Sequence, residues 1–323
     1  MKKIIALIFT ISMLLSSALV LGSCGETTKI NVGYMAGPTG MGMAKLIADN
    51  GDINGEREKY SFTKYLDTNT ALLDLAKGTA DVVCPPTNEA AKYYNGTDDS
   101  ITVLSINTLG SVYLIGKGAS AISSLSDLDG KTVYTCTNGT PKMILDYLIA
   151  ESGVDVTVST FYDNKEIKTP DMLKTTLADP NCTIEFAVAP EPIVTVVTSA
   201  NNSYSVKLNL NNVWNEISDT ALTMGCIVST KEFVAENKKA VNAFLDEYKA
   251  SIEYVNAAEN IDAAAGYIVD AGIMGAAGAA KKALNNLRGS IAYMDGAAMK
   301  SALIGFYDAM GITKPDDEFY YEK

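Results

Sequence analysis

No histidine occurs anywhere in the 323 residues. Its absence removes Ser-His-Asp and Cys-His nucleophile activation, the usual proton shuttle and nearly every catalytic zinc site. Arginine is almost as scarce: Arg57 and Arg288 are the only two, and neither stands in a segment composed like a binding loop. A bidentate guanidinium clamp on a carboxylate therefore has few sources. Basic residues as a whole are short, with 26 Lys and Arg against 38 Asp and Glu and a net charge of −12. Such a surface repels nucleic acid and anionic headgroups, so neither is an expected partner. No Cys-x-x-Cys pair occurs, and the glycine loop at Met35–Gly42 lacks both the Gly-Lys-Ser/Thr ending of a phosphate loop and the dinucleotide spacing. No metal, nucleotide or other cofactor is expected.

What is present begins with a leader. Lys2 and Lys3 precede an apolar run from Ile4 to Leu21, closed by Leu21-Gly22-Ser23-Cys24. A basic start, an apolar core and small residues before a cut make residues 1–23 a secretory signal. The run is about 18 residues with Ser and Thr in it, at the short end for a membrane span. Cys24, directly after two small residues, resembles the bacterial lipobox cysteine, which implies acylation at that position. Acyl chains such as palmitate contribute roughly 0.8 kcal/mol per buried CH₂. Residues 24–28 then form a tether, and loss of Lys2 and Lys3 takes the mature charge to −14. The expectation is an extracytoplasmic protein anchored to the bacterial cell membrane by lipid. Cys84, Cys136, Cys182 and Cys226 permit three pairings, and nothing in their spacing selects one. Cys84 and Cys136 end apolar runs, where buried free thiols are common, and free thiols are expected throughout.

The chain contains an internal echo. Ile30–Tyr34 reads as a strand, Gly37-Pro38-Thr39-Gly40 as a turn, and the following apolar segment as a helix to Asn50. Thr132–Cys136, Thr137-Asn138-Gly139-Thr140-Pro141 and a helix to Ser152 repeat the plan. A second pair consists of Asp81–Cys84 leading into Pro85–Glu89, and Phe186–Ala189 leading into Pro190-Glu191-Pro192. Each is the first part of a βα unit. Two long β-prone runs, Ser105–Ile115 and Leu222–Val228, make two crossings between halves, and Ser229 to Glu232 has the capping-box arrangement. An Ala-rich helical region runs to about residue 310, with breaks near Asn260, Gly272 and Gly289, and the tail Pro315–Lys323 is expected against the surface. The fold class is α/β in two lobes: 29–110 with 226–323 form lobe 1, and 111–225 form an inserted lobe 2.

Ligands of open α/β sheets bind beyond the carboxyl ends of the strands, where helix N-termini offer unpartnered N–H groups. The candidate binding residues are Gly37, Pro38, Thr39, Gly40 and Met41 in the first turn, and Asn69 and Thr70 after the next strand. Pro86, Thr87 and Asn88 follow the third strand, Thr137, Asn138, Gly139 and Thr140 make the repeated turn, and Glu191 lies between its prolines. Several of these equally suit helix caps. Glu89 and Glu191 occupy corresponding positions; a first-turn carboxylate is favoured by the helix dipole, so acid–base chemistry is not expected of them.

The stretches Gly33–Leu46, Gly78–Ala91, Ile106–Ile115, Leu125–Asn138, Val188–Val194 and Met224–Phe233 together resemble the solute-binding lipoproteins of ABC importers. The likeness is to the nitrate/sulfonate/taurine and thiamin-precursor group, of type 2 periplasmic-binding fold. It implies two lobes, each a mixed sheet flanked by helices, closing about two hinge crossings on a small molecule and then docking as a monomer on an ABC permease. The implied ligand is a sulfonate, a small anion or a heterocycle such as a thiamin precursor. Eukaryotic thiamin-pyrimidine synthases resemble the same fold but consume their own histidine, which this chain lacks. One departure is Ala178-Asp179-Pro180-Asn181, where the likeness implies a Gly-x-Ala-Asp turn. Sequence alone does not separate an importer subunit from a lipid-anchored sensor or adhesin.

Overall fold

A computed structural model describes residues 28–50, 59–97, 100–118, 121–137 and 139–323. The leader 1–23, Cys24 and Asn138 lie outside the described residues. The strands, in chain order, are β1 (Ile30–Met35), β2 (Tyr60–Tyr65), β3 (Val82–Val83), β4 (Ile101–Leu109), β5 (Val112–Lys117), β6 (Thr132–Tyr134) and β7 (Thr157–Ser159). They continue as β8 (Phe161–Tyr162), β9 (Lys165–Glu166), β10 (Phe186–Pro190), β11 (Tyr204–Asn209), β12 (Thr223–Thr230) and β13 (Ile291–Met294). One sheet has the order β13-β4-β12-β3-β1-β2 and the other β11-β5-β10-β6-β7. Read from the β2 and β7 edges, the two share one plan. A pair of parallel neighbours flanks β1 or β6, an antiparallel strand (β12 or β5) comes next, and β4 or β11 follows it. The echo in the sequence is thus a repeat of sheet topology, to which β13 is an addition.

Parallel strands need helical crossovers, and local chemistry sets where each begins and ends. After β1, Gly37 takes a φ of +140°, open essentially to glycine alone, and Pro38 supplies the first helical residue. The helix Pro38–Asn50 carries Gly40 and Gly42, each costing about 1 kcal/mol relative to Ala. Close packing explains them: a Cβ on Gly40 would fall 2.5 Å from the Met35 carbonyl oxygen, and one on Gly42 3.0 Å from Ile291. The same helix buries Met41, Met43 and Leu46, each contributing roughly 1.5–3 kcal/mol. In the repeat, Gly139 (φ +110°) precedes the helix Thr140–Ser152, and Gly153 ends it in the left-handed conformation, its N–H donating to Ile149 O at 3.0 Å.

The two crossings are Gly110–Ser111, between β4 and β5, and the segment from Ser218 to Leu222 that leads into β12. At the second, Trp214 of the helix Leu210–Ile217 donates its indole N–H to Thr220 O at 2.6 Å. Its ring lies 4.8 Å from that of Tyr147 and 6.0 Å from that of Phe306 in the helix Gly296–Ala309. Gly305 lets this last helix approach Thr220 closely. One apolar cluster therefore runs from Val103 and Phe306 beside the first sheet to Leu114 and Val188 in the second.

Four local details differ from the sequence expectation. Ser229 is still in β12 and donates to Asp81 O, so Thr230, accepting from Phe233 N at 3.2 Å, is the cap. Asn237 interrupts the helical stripe, leaving Phe233 on a short separate helix while Val241, Phe244, Leu245 and Tyr248 share the helix Lys238–Asn256. The Ala-rich region contains the strand β13, and the tail buries Phe319 completely rather than merely covering the surface. The four described cysteines are buried and form no disulfide with one another. No helix among the described residues is long and apolar enough to cross a membrane.

Candidate functional site in the cleft between lobes

The carboxyl ends of β1, β3, β4 and β10 and the start of β12 converge on one cavity of about 210 Å³. It is lined from the first sheet by Met35 to Thr39, Cys84, Pro86, Thr108, Met224 and Gly225, and from the second by Ser111, Pro190 and Glu191. Three larger hollows, of about 580 Å³ beside β8 and β9, about 600 Å³ near Lys59 and Lys238 and about 460 Å³ near Lys249 and Tyr293, each touch one lobe only. The smallest cavity alone of these four is shared between lobes, where a ligand would feel their closure.

Glu191 is the centre of its polar chemistry. The residue is 2 % exposed. Oε1 accepts from Thr195 Oγ1 at 2.9 Å and from Asn286 Nδ2 at 2.6 Å, while Oε2 accepts from the Thr195 N–H at 3.1 Å. Burial pushes the carboxyl above its ordinary pKa, and the Asn286 and Thr195 hydrogen bonds and nearby Lys282 oppose this. Cys84, the other titratable side chain of the lining, has its thiol pushed up to about 12 by burial and stays neutral. Among the described residues, no lysine or arginine lines the cavity.

Asn286 ends the helix Ala277–Asn286, whose apolar face belongs to the first-lobe core, so its bond to Glu191 bridges the lobes. Tyr113 of β5 donates to Asn286 O at 2.5 Å, and Lys282 donates to Thr198 Oγ1 at 2.7 Å. Across the opposite side, Thr140 Oγ1 donates to Asn88 Oδ1 at 3.2 Å. These hydrogen bonds join the two lobes. A protein carrying Asn286→Ala and Thr140→Ala should open: small-angle scattering without ligand should show a larger radius of gyration than the parent. An unchanged curve would mean that the bridges do not set closure.

Of the residues expected from sequence, Gly37, Pro38, Thr39, Pro86 and Glu191 line the cavity. Gly40 and Met41 lie just behind it, packed on Met35 and in the core. Thr87 is fully buried and donates to Thr223 O at 2.8 Å. Asn88 and Thr140 meet each other rather than the cavity, Gly139 serves as a cap, and Thr137 donates to Glu166 at 2.9 Å. Asn69 and Thr70 are exposed outside the cavity, with Thr70 held by the Asp67 cap. Glu89 is also outside the lining and accepts from Asn88 at 3.2 Å. The lining also includes Met35, Ala36, Cys84, Thr108, Ser111, Pro190, Met224 and Gly225, none of them among the binding residues expected from sequence; the signal for Thr108, Ser111, Met224 and Gly225 is their place in the two β-prone runs Ser105–Ile115 and Leu222–Val228.

Residues 99–260 match a protein-family model described as NMT1/THI5 like. No curated protein matches the chain significantly. An ABC transporter protein from Parabacteroides distasonis superposes with a TM-score of 0.72 at 21% identity, over 92% of this chain and 99% of that one. The periplasmic aliphatic sulphonate binding protein SsuA from Escherichia coli gives 0.68 at 13% identity, over 91% and 92%. The periplasmic nitrate-binding protein NrtA from Synechocystis PCC 6803 gives 0.56 at 15% identity, over 76% and 66%. At these identities the likeness is one of fold.

Proposed function

The chain belongs to the NMT1/THI5-like family, and we propose that it is the extracytoplasmic solute-binding subunit of an ABC importer. It closes its two lobes on one small molecule and delivers that molecule to the permease as a monomer. The observation that carries this reading is a cavity shared by both lobes, reached by four strand ends and bridged by Glu191 and Asn286. The likeness in fold to a sulphonate-binding and a nitrate-binding protein supports it. The cargo class on this reading is a sulfonate, a small anion or a heterocycle such as a thiamin precursor. Acylated Cys24 holds the protein at the membrane, residues 24–28 are its tether, and lobe 2 spans residues 111–225.

The mechanism follows from two states of unequal affinity. A ligand that touches both lobes binds the closed form better and draws the population toward it. No step requires bond chemistry, and Glu191 acts as a hydrogen-bond acceptor rather than as a catalyst. Thermal unfolding against a panel of sulfonates, small anions, pyrimidines and amino acids tests the reading. A cognate ligand at 1,000 times its dissociation constant should add about 4 kcal/mol of stability. Absence of any response, with no small molecule co-purifying, would overturn it.

A further inference from the structure

We propose that the cleft takes a small solute that presents N–H donors and carries no negative charge, in preference to a sulfonate, nitrate or other anion. The proposal rests on the solute-binding reading of this cavity and narrows its cargo. Four observations lead to it.

The first is charge. Among the described residues the lining offers no cation, and Glu191 is its one carboxyl. Lys282, whose charge acts on Glu191, is exposed, absent from the lining and engaged with Thr198. An anion entering the cavity would meet a buried carboxylate with nothing opposite to offset it.

The second is the supply of N–H groups. Anion sites at helix starts depend on several free amides. Here Pro38, Pro86 and Pro190 all stand in the lining and have none. The Met41 N–H is spent on Gly37 O at 2.8 Å and the Glu191 N–H on Ser111 O at 3.0 Å. The first turn of the helix Pro38–Asn50 retains those of Thr39 and Gly40.

The third is the direction of the hydroxyls. Thr39 donates to Met35 O at 3.4 Å, Thr108 to Asn107 Oδ1 at 3.1 Å and Ser111 to Met224 Sδ at 3.4 Å. Their protons point into the protein, and what remains for a ligand is lone pairs. The fourth is capacity. A carboxylate has about four acceptor positions; the protein fills two on Oε1 and one on Oε2 of Glu191. The remaining position on Oε2 suits one N–H of an amino-heterocycle or an amidinium, with the hydroxyl lone pairs as secondary acceptors.

Isothermal titration of the purified protein with 4-aminopyrimidine, guanidinium, ethanesulfonate and nitrate tests this. Binding of 4-aminopyrimidine or guanidinium, weakened at least tenfold in Glu191→Gln while the melting profile is kept, is the expected result. Binding of ethanesulfonate or nitrate in preference overturns the inference and leaves the solute-binding reading intact. Donor binding that Glu191→Gln does not alter also overturns the inference. Silence from all four probes counts against both. Should Glu191→Gln fail to fold, the contest between donor and anion probes on the unaltered protein still decides.

Discussion

Trp214→Ala is expected to cost about 3–5 kcal/mol of unfolding free energy, the range for removing a large aromatic from a closed core. The side chain is fully buried, and three separate elements lean on it. Tyr147 comes from the helix after β6, Phe306 from the helix near the C-terminus, and Thr220 from the second crossing. Truncation leaves a cavity between lobes and strips the Thr220 carbonyl of its donor. Trp214→Phe keeps most of the ring and should lose about 1 kcal/mol for the missing N–H. Urea melts of both variants provide the check. A loss below about 1 kcal/mol for the alanine form would mean that the junction collapses around the gap, against the packing argument.

Gly40→Ala should cost about 1–3 kcal/mol, the usual range for overpacking, and should weaken ligand binding as well. The new methyl would lie 2.5 Å from the Met35 carbonyl oxygen, 3.0 Å from Tyr34 Cδ2 and 3.3 Å from Ile273 Cδ1. The first contact is backbone, which cannot rotate aside, so the helix must lift off the end of β1. That joint carries Gly37, Pro38 and Thr39 on the cavity wall. Gly278 is the control, being helical with no atom within 4 Å of an added Cβ. Alanine there should be neutral or stabilising by up to about 1 kcal/mol. Equal effects at Gly40 and Gly278 in thermal melts would show that helix propensity, not contact, governs both positions.

Much of the fold was legible because its signals are local. The turn Gly37-Pro38-Thr39-Gly40 and the pair Pro190-Glu191-Pro192 each declare a strand end and a helix start within a few residues. The repeat was visible for the same reason. β13 was not, because four residues in an Ala-rich run carry too little periodicity, and their strand conformation comes from pairing with β4 nearly 200 residues earlier. Ser229 and Thr230 compete for one cap, and the antiparallel pairing of β12 with β3 decides between them. In the candidate site, Glu191 stood out by its neighbours in sequence. Asn286 did not: it lies 95 positions away from the carboxylate it binds, at the end of a helix whose Lys281, Lys282 and Asn285 read as an ordinary solvated face. Asn69 and Thr70 carried the right chemistry at a strand end, but β2 is the edge strand, and Asp67 claims Thr70.

The sheet orders also bear on the order in which the chain can fold as it is made from its N-terminus. All five strands of the second sheet come from one stretch, Val112 to Asn209. The first sheet cannot be completed so early, because β12 must slot between β3 and β4. Until residue 230 is available, the facing edges of β3 and β4 stay unpaired, and Phe319 and Tyr320 seal that half only at the end. Unpaired edges are the sites at which incompletely folded chains pair wrongly with one another. The inserted half therefore assembles first, and the half that begins the chain is the last to be protected.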